Sequence, residues 1–276
     1  MAKVTQLIHN YLRHSKRFPH VFCPGCGHGI VLGSLIRSIH SMGLAKDDVV
    51  LVAGIGCSGR IPVYVDFNTI HTTHGRALTF ATGIKLANPR LKVIVVMGDG
   101  DALSIGGNHL IHAARRNIGV TALVLNNHIY GMTGGQSSCT TPTGSFSTTS
   151  PFGQLEDEFD ISRVTKVCGA SFVARTTVMQ AGTMDSMISE AVMHPGFGLV
   201  EILSPCHTQY GRKNRFKTCV DMYKWLQKSS TPLEKYRELP PEKQEKAIAT
   251  GIFEKRDCEG LEEKYARLRR NLRGES

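Results

Sequence analysis

Between residues 49 and 203, five short runs rich in β-branched and aliphatic residues (49–53, 91–97, 120–125, 170–174 and 199–203) alternate with segments whose apolar residues return at helical spacing. Leu32, Leu35, Ile36 and Ile39 fall at i, i+3, i+4 and i+7, and Met184, Met187, Ile188 and Ala191 repeat that interval, so each set puts one apolar stripe on a helix. A strand that is apolar along its whole length offers no face to water and must be covered on both sides. Strands of this kind, separated by amphipathic helices, predict an α/β fold: a mostly parallel sheet with helices on both faces. Residues 132–153 break the pattern with a run dense in Gly, Ser, Thr and Pro. A stretch that long inside a compact domain is expected to be a functional loop. From about residue 229, Pro240-Pro241 and mixed charge predict a helical extension, dividing the chain into a main domain, 1–228, and an extension, 229–276.

No apolar run approaches the roughly 18–20 residues that cross a bilayer, and residues 1–19 are polar and basic, without the apolar segment of a secretory signal. A cytoplasmic protein without membrane contact is expected. In that compartment the eight cysteines, Cys23, Cys26, Cys57, Cys139, Cys168, Cys206, Cys219 and Cys258, are better suited to metal ligation or catalysis than to disulfides. The formal charge of +10, concentrated in 212–217 and 264–273, suits an acidic protein partner, an anionic cofactor or nucleic acid. Aromatic and basic residues are not interleaved as nucleic-acid surfaces require, which argues against the last.

The run 91–97 leads directly into Gly98-Asp99-Gly100-Asp101; a helix is expected over 102–116, and the next strand ends at Asn126-Asn127. In a right-handed βαβ unit both strand ends fall on one edge of the sheet, where open α/β sheets bind ligands. Gly98 and Gly100 let backbone approach a phosphate, and the following helix start offers free N–H groups. Asp99 and Asn127 are hard oxygen donors of the kind that hold Mg²⁺ against two phosphates. An isolated Gly-Asp-Gly would be a capped turn, but the Asn-Asn at the expected strand end favours a ligand site. The spacing resembles the thiamine-diphosphate motif, and on that resemblance the Ile129 carbonyl joins Asp99 and Asn127 as a Mg²⁺ ligand. No Gly-x-Gly-x-x-Gly opens a helix after any strand, which weakens a nicotinamide-binding reading.

Cys23-Pro24-Gly25-Cys26 places two thiols on one tight turn, while Cys57 and Cys206 directly follow the runs 49–53 and 199–203. Both therefore stand on the edge that carries the diphosphate motif. Four thiolates can hold a structural Zn²⁺ or an iron–sulfur cluster, and Cys-x-x-Cys alone leans towards zinc. Cys139 lies in the long loop; Cys168, Cys219 and Cys258 read as ordinary thiols.

Taken together, Cys-Pro-Gly-Cys-Gly-His (23–28), Gly-Ile-Gly-Cys-Ser (54–58), Thr-His-Gly-Arg-Ala (73–77), Gly-Asp-Gly-Asp (98–101), the Asn-Asn to Gln run (126–136) and Ser-Pro-Cys (204–206) resemble the β subunit of 2-oxoacid:ferredoxin oxidoreductases, across about residues 20–215. The 2-oxoglutarate type is the most similar; pyruvate, branched-chain or indolepyruvate types are the alternatives. The resemblance implies a thiamine-diphosphate-binding fold and a 4Fe-4S cluster on Cys23, Cys26, Cys57 and Cys206, displacing zinc. It also implies oxidative decarboxylation of a 2-oxo acid to an acyl-coenzyme A, with electrons passed to ferredoxin. Gly56, Ser58, Gly98, Gly100, Asp101 and Thr133 would line the thiamine diphosphate, and Met132 would hold its two rings bent. His28 and His74 would contact cofactor or substrate, and Arg60 would pair with the substrate carboxylate; a core histidine or a surface ion pair is the plainer reading of each.

Thiamine enzymes need a carboxylate against the pyrimidine ring, yet residues 1–155 contain no glutamate. The resemblance implies that an obligate α subunit supplies it, together with much of the coenzyme A site, in a dimer of heterodimers. Two other readings remain: a non-redox thiamine decarboxylase or synthase, which leaves the cysteines idle, and a metal-stabilised nucleic-acid-binding protein, which leaves the diphosphate motif idle.

Overall fold

The computed structural model describes residues 2–15 and 19–274. Its strands are β1 (Val49–Ala53), β2 (Asn68–His71), β3 (Lys92–Gly98), β4 (Val120–Asn126), β5 (Phe172–Thr177), β6 (Gly198–Leu203), β7 (Ser230–Pro232) and β8 (Ile248–Lys255). Its helices are α1 (Ala2–Asn10), α2 (His28–Ser41), α3 (Ala77–Ala87), α4 (Gly107–Arg116), α5 (Ile161–Val167), α6 (Ala181–Met193), α7 (Cys219–Ser229), α8 (Leu233–Arg237), α9 (Pro241–Gln244) and α10 (Leu261–Arg273). The strands form one eight-stranded sheet in the order β2-β1-β3-β4-β6-β5-β8-β7. The first six strands pair with one another only in parallel; β8 runs antiparallel to β5 and carries β7 beside it.

The all-apolar runs are all-buried strands, as expected for a sheet covered on both sides. Side chains alternate across a strand, so Val49 and Leu51 of β1 pack with α2 and α6 through Leu35, Ile39, Met184 and Ile188. Val50 and Val52 pack the other way, against Leu78 of α3, Leu110 of α4 and Ile161 of α5. Each such Leu or Ile, fully buried, contributes roughly 1.5–3 kcal/mol, and the two clusters fix the register that puts the strand ends on one edge.

The structure departs from the sequence reading at several places. Edge strand β2 is polar and largely exposed, held by its parallel register to β1, and therefore carries no apolar signal. Strand β5 continues to Thr177 because Arg175 is buried by pairing with Glu201. The helix expected over 102–116 is broken: a wide turn, Gly100–Ser104, precedes α4. The break follows from close packing, since a Cβ on Gly106 would lie 2.3 Å from the Asp101 carbonyl oxygen. Residues 229–276 are not purely helical: β8 extends the main sheet and β7 follows it. Helix α10 is pinned to the start of β4 by Glu262, which accepts the Gly119 N–H at 3.0 Å and faces the buried Lys85 ammonium at 3.6 Å.

Candidate functional site

Five parallel strands end beside one cleft. The segment after β1 brings Gly56, Cys57 and Ser58 to its wall, and the segment after β3 brings Gly98, Asp99, Gly100 and Asp101. The turn after β4 contributes Asn127, Ile129, Met132 and Thr133, the segment after β2 contributes His74, and the start of α2 contributes His28. Cys206, after β6, approaches the same turn: the position of a Cβ on Gly131 would be 3.4 Å from the Cys206 sulfur and 3.9 Å from that of Cys57. All the residues singled out for cofactor contact thus meet in one place.

Asp99 is buried and oriented by the loop that follows. Its Oδ2 accepts the hydroxyls of Ser138 at 2.5 Å and Thr140 at 2.7 Å, whereas among the described residues Oδ1 receives only the Asn127 N–H, at 3.5 Å. One oxygen is therefore fixed by hydrogen bonds and the other has lone pairs to spare, the arrangement a bound cation needs. The Asn127 Oδ1 accepts the Ile129 N–H at 3.1 Å and also keeps a lone pair. Next to it, His128 takes a left-handed backbone conformation, φ +61°, which turns the chain sharply at the strand end. This donor set fits Mg²⁺ between two phosphates. Gly100 is needed because Tyr130 lies over it, with ring carbons only 2.4 Å from where a Cβ would stand. Met132 projects into the cleft with 47% of its surface exposed, free to lie against an organic ring.

Asp101 also lines the cleft, but its carboxylate braces the walls. Its Oδ1 accepts from the His74 ring and, at 2.7 Å, from the Gly75 N–H, with the Ile55 N–H at 3.5 Å. Its Oδ2 lies 1.7 Å from the position of a Cβ on Gly54, so only glycine fits there. Burial raises this carboxyl above its ordinary value, and the Gly75 and His74 bonds only partly counter it. His28 is buried against Ser204, whose hydroxyl lies 3.0 Å from Nδ1. Burial lowers its pKa to about 4, so the ring is neutral at pH 7. Arg60 lies outside the cleft, exposed, near enough to lower the Cys57 pKa and with no ion pair among the described residues.

The four cysteines form a second group beside the cleft. Cys23 and Cys26 share a turn closed by the Cys26 N–H to the Cys23 carbonyl at 2.9 Å, which needs the left-handed Gly25, φ +78°. Thr208 bridges the set, with its hydroxyl 3.5 Å from the Cys206 sulfur and 3.9 Å from that of Cys23. Burial pushes the Cys26 thiol up to about 12, and nearby Cys206, Cys57 and Cys23 push the same way against a bond from the His28 backbone. Burial, then Cys206 and Cys23, take Cys57 up to about 11. Thiols crowded in this way stay protonated unless a metal centre neutralises the thiolates they would form. Among the described residues no three His, Cys, Asp or Glu side chains converge on a single-ion site. Four neighbouring cysteines are the number and kind of donor that a 4Fe-4S cluster takes.

Sequence reasoning missed the support behind these groups. Ser138 and Thr140 sit in a Ser/Thr-rich run where no pattern distinguishes them. Beneath Asn127, the Asn126 amide donates to Glu201 at 2.8 Å; Glu201 also accepts from Ser162 at 2.6 Å and Arg175 at 2.8 Å. Burial opposes ionisation of Glu201, but Arg175 and these hydrogen bonds outweigh it and hold the carboxyl below its ordinary value. The pair's contribution is therefore complete above the ordinary glutamate range and is lost as pH falls through the lower folded value. Arg175→Ala is expected to cost about 3–5 kcal/mol at neutral pH by stranding a buried carboxylate. Thermal unfolding of the assembled enzyme should show that gap narrowing on acidification, as the stranded carboxyl takes up a proton; a pH-independent gap would disprove the linkage.

Among known families, the C-terminal TPP-binding domain of thiamine pyrophosphate enzymes matches residues 54–202. The 2-oxoglutarate synthase subunit KorB of Methanothermobacter marburgensis is 49% identical over 88% of this chain and 85% of its own. That of Archaeoglobus fulgidus is 48% identical over 96% and 95%. Among solved structures, the 2-oxoglutarate:ferredoxin oxidoreductase from Magnetococcus marinus, with 2-oxoglutarate, coenzyme A and succinyl-CoA bound, superposes with a TM-score of 0.85 at 31% identity, covering 96% of this chain and 90% of that one.

Proposed function

The chain belongs to the β subunits of the 2-oxoacid:ferredoxin oxidoreductases, 2-oxoglutarate type, and on that premise we propose how its residues divide the work. The observation that carries the proposal is the convergence of a diphosphate-type cleft and four cysteines on one sheet edge. The enzyme oxidatively decarboxylates 2-oxoglutarate to its coenzyme A thioester and passes the electrons to ferredoxin. Residues 1–228 carry both cofactor sites, with 229–276 as an extension. Thiamine diphosphate, when bound, supplies the carbanion that attacks the 2-oxo carbon.

Asp99 Oδ1, the Asn127 side chain and the Ile129 carbonyl would hold Mg²⁺, while Ser138 and Thr140 fix the Asp99 carboxylate for it. Gly56, Ser58, Gly98, Gly100, Asp101 and Thr133 would form the walls against the diphosphate and rings, and Met132 would lie against the rings. His28, kept neutral by burial, donates or accepts one hydrogen bond without adding charge. His74, oriented by Asp101, faces the substrate side. Arg60, with no ion pair among the described residues and beside Cys57, attracts the anionic substrate. Cys23, Cys26, Cys57 and Cys206 hold a 4Fe-4S cluster, one-electron chemistry beside a two-electron donor.

The two buried glutamates among the described residues, Glu201 and Glu262, both lie away from the cleft and are already paired. This supports an activating glutamate on a partner α subunit, within a dimer of heterodimers. Exposed Ile55, Phe80 and Ile105 offer that subunit an apolar face. No described helix is long and apolar enough to cross a membrane; eight unpaired cysteines favour a cytoplasmic setting.

The test is reconstitution. With the α subunit, 2-oxoglutarate and coenzyme A should together drive reduction of a small electron-accepting dye, faster than pyruvate, branched-chain oxo acids or indolepyruvate. The chain alone should be inactive. Turnover without the partner, or no preference for 2-oxoglutarate, would sink the proposal.

A further inference from the structure

Cys23 is the exposed member of the four cysteines, so the surface above it is the short way out for an electron. Helix α7 begins there: a Cβ on Gly25 would stand 2.9 Å from the Cys219 Cβ and 3.1 Å from its sulfur. The segment 212–228 carries Arg212, Lys213, Arg215, Lys217, Lys224 and Lys228 against a single acid, Asp221. That acid is already used, its Oδ2 accepting the Thr218 N–H at 3.0 Å and the Thr218 hydroxyl at 2.9 Å as a helix cap. None of the six cations forms an ion pair among the described residues.

The arrangement is directional. Val220, Lys224 and Lys228 lie at i, i+4 and i+8, one stripe of the helix, and all three are exposed. Val220 is 54% exposed, and Val21, two residues before Cys23, is 66% exposed. Exposed apolar residues beside a run of like charges suit transient docking of a partner of opposite sign. Unscreened cations within a Debye length of roughly 8–10 Å repel one another, and an acidic partner relieves that repulsion.

We propose that this face, the segment from Arg212 and the α7 stripe beside Cys23, is where the acidic electron acceptor, a ferredoxin, docks. The inference rests on reading the four cysteines as an iron–sulfur site. With a cluster held by the four cysteines, each encounter would pass one electron, oxidising that cluster and reducing the acceptor's, with no proton or bond exchanged.

The test uses the assembled enzyme and the triple variant Arg212→Glu, Lys217→Glu, Lys224→Glu, all exposed side chains outside the cofactor cleft. Isothermal titration with an acidic ferredoxin is expected to show affinity weakened at least about tenfold, with a flatter salt dependence. KM for ferredoxin should rise accordingly, while reduction of a small uncharged dye is unchanged. The Gln versions should give an intermediate loss, and Lys264→Glu with Arg269→Glu, on α10, none. Unchanged ferredoxin affinity in the triple variant would overturn the proposal. So would failure of that variant to assemble with the α subunit, or competition of duplex DNA for the face. If the unsubstituted enzyme reduces dye but does not bind ferredoxin, the docking surface is wrong and the enzymatic reading stands. If it reduces no dye, the enzymatic reading is wrong.

Discussion

The Asp99→Asn enzyme is expected to fold, assemble and fail to hold its cofactor. Asparagine keeps the shape of the side chain but removes the charge. It also turns an N–H₂ group towards donors: whichever way the amide is placed, it cannot accept from Ser138 and Thr140 and present an anionic oxygen to a cation as well. Loss of a group that merely orients a metal ligand weakens metal affinity by roughly 10- to 100-fold. The double variant Ser138→Ala, Thr140→Val should fall in that range, and loss of the ligand itself should exceed it. Titration calorimetry of thiamine diphosphate with Mg²⁺ reads both, and saturating Mg²⁺ should rescue the hydroxyl variant but not Asp99→Asn. Wild-type cofactor affinity in Asp99→Asn would remove Asp99 from the metal site.

The second large effect is expected at the sulfurs. Cys57→Ser and Cys206→Ser each remove one corner of the set and should abolish both the visible iron–sulfur chromophore and 2-oxoglutarate-dependent dye reduction, leaving thiamine diphosphate binding in place. Cys168→Ser, away from the set, should change neither. Because the Cys26 and Cys57 thiols are held near 12 and 11, loading iron must displace their protons. Anaerobic reconstitution should therefore release protons and run further at higher pH. Full iron content and colour in Cys57→Ser would refute the assignment, as would stoichiometric zinc in the untreated protein.

How much of this was readable in advance depends on whether a residue's meaning is local. The runs at 49–53 and 120–125 announced buried strands because they are apolar on both faces, and strand ends are where ligands bind. The strand-end positions of Asp99, Asn127, Cys57 and Cys206 were therefore legible. Edge strand β2 was not, since an exposed strand is held by its neighbour's register rather than by its own hydrophobicity. Arg175 lay just past the run read as a strand and Glu201 inside one; their burial depends on meeting each other across β5 and β6, a pairing that only the fold supplies. Ser138 and Thr140 were hidden for the same reason, among many like residues. The direction of the Asp101 carboxylate was equally hidden: the sequence shows an acid after Gly100 but not the three segments it ties together.

That tie has a consequence for how such a site can change over generations. Gly54 and Asp101 occupy overlapping space, with no room for a methyl on one while the other keeps its carboxylate. Neither position can drift by itself, since a larger residue at 54 is tolerated only by a shorter one at 101, which would release the His74 ring and the Gly75 turn together. The two should be inherited as a couplet, and any lineage that reshapes this mouth to admit a different acid must do so at other places along the rim.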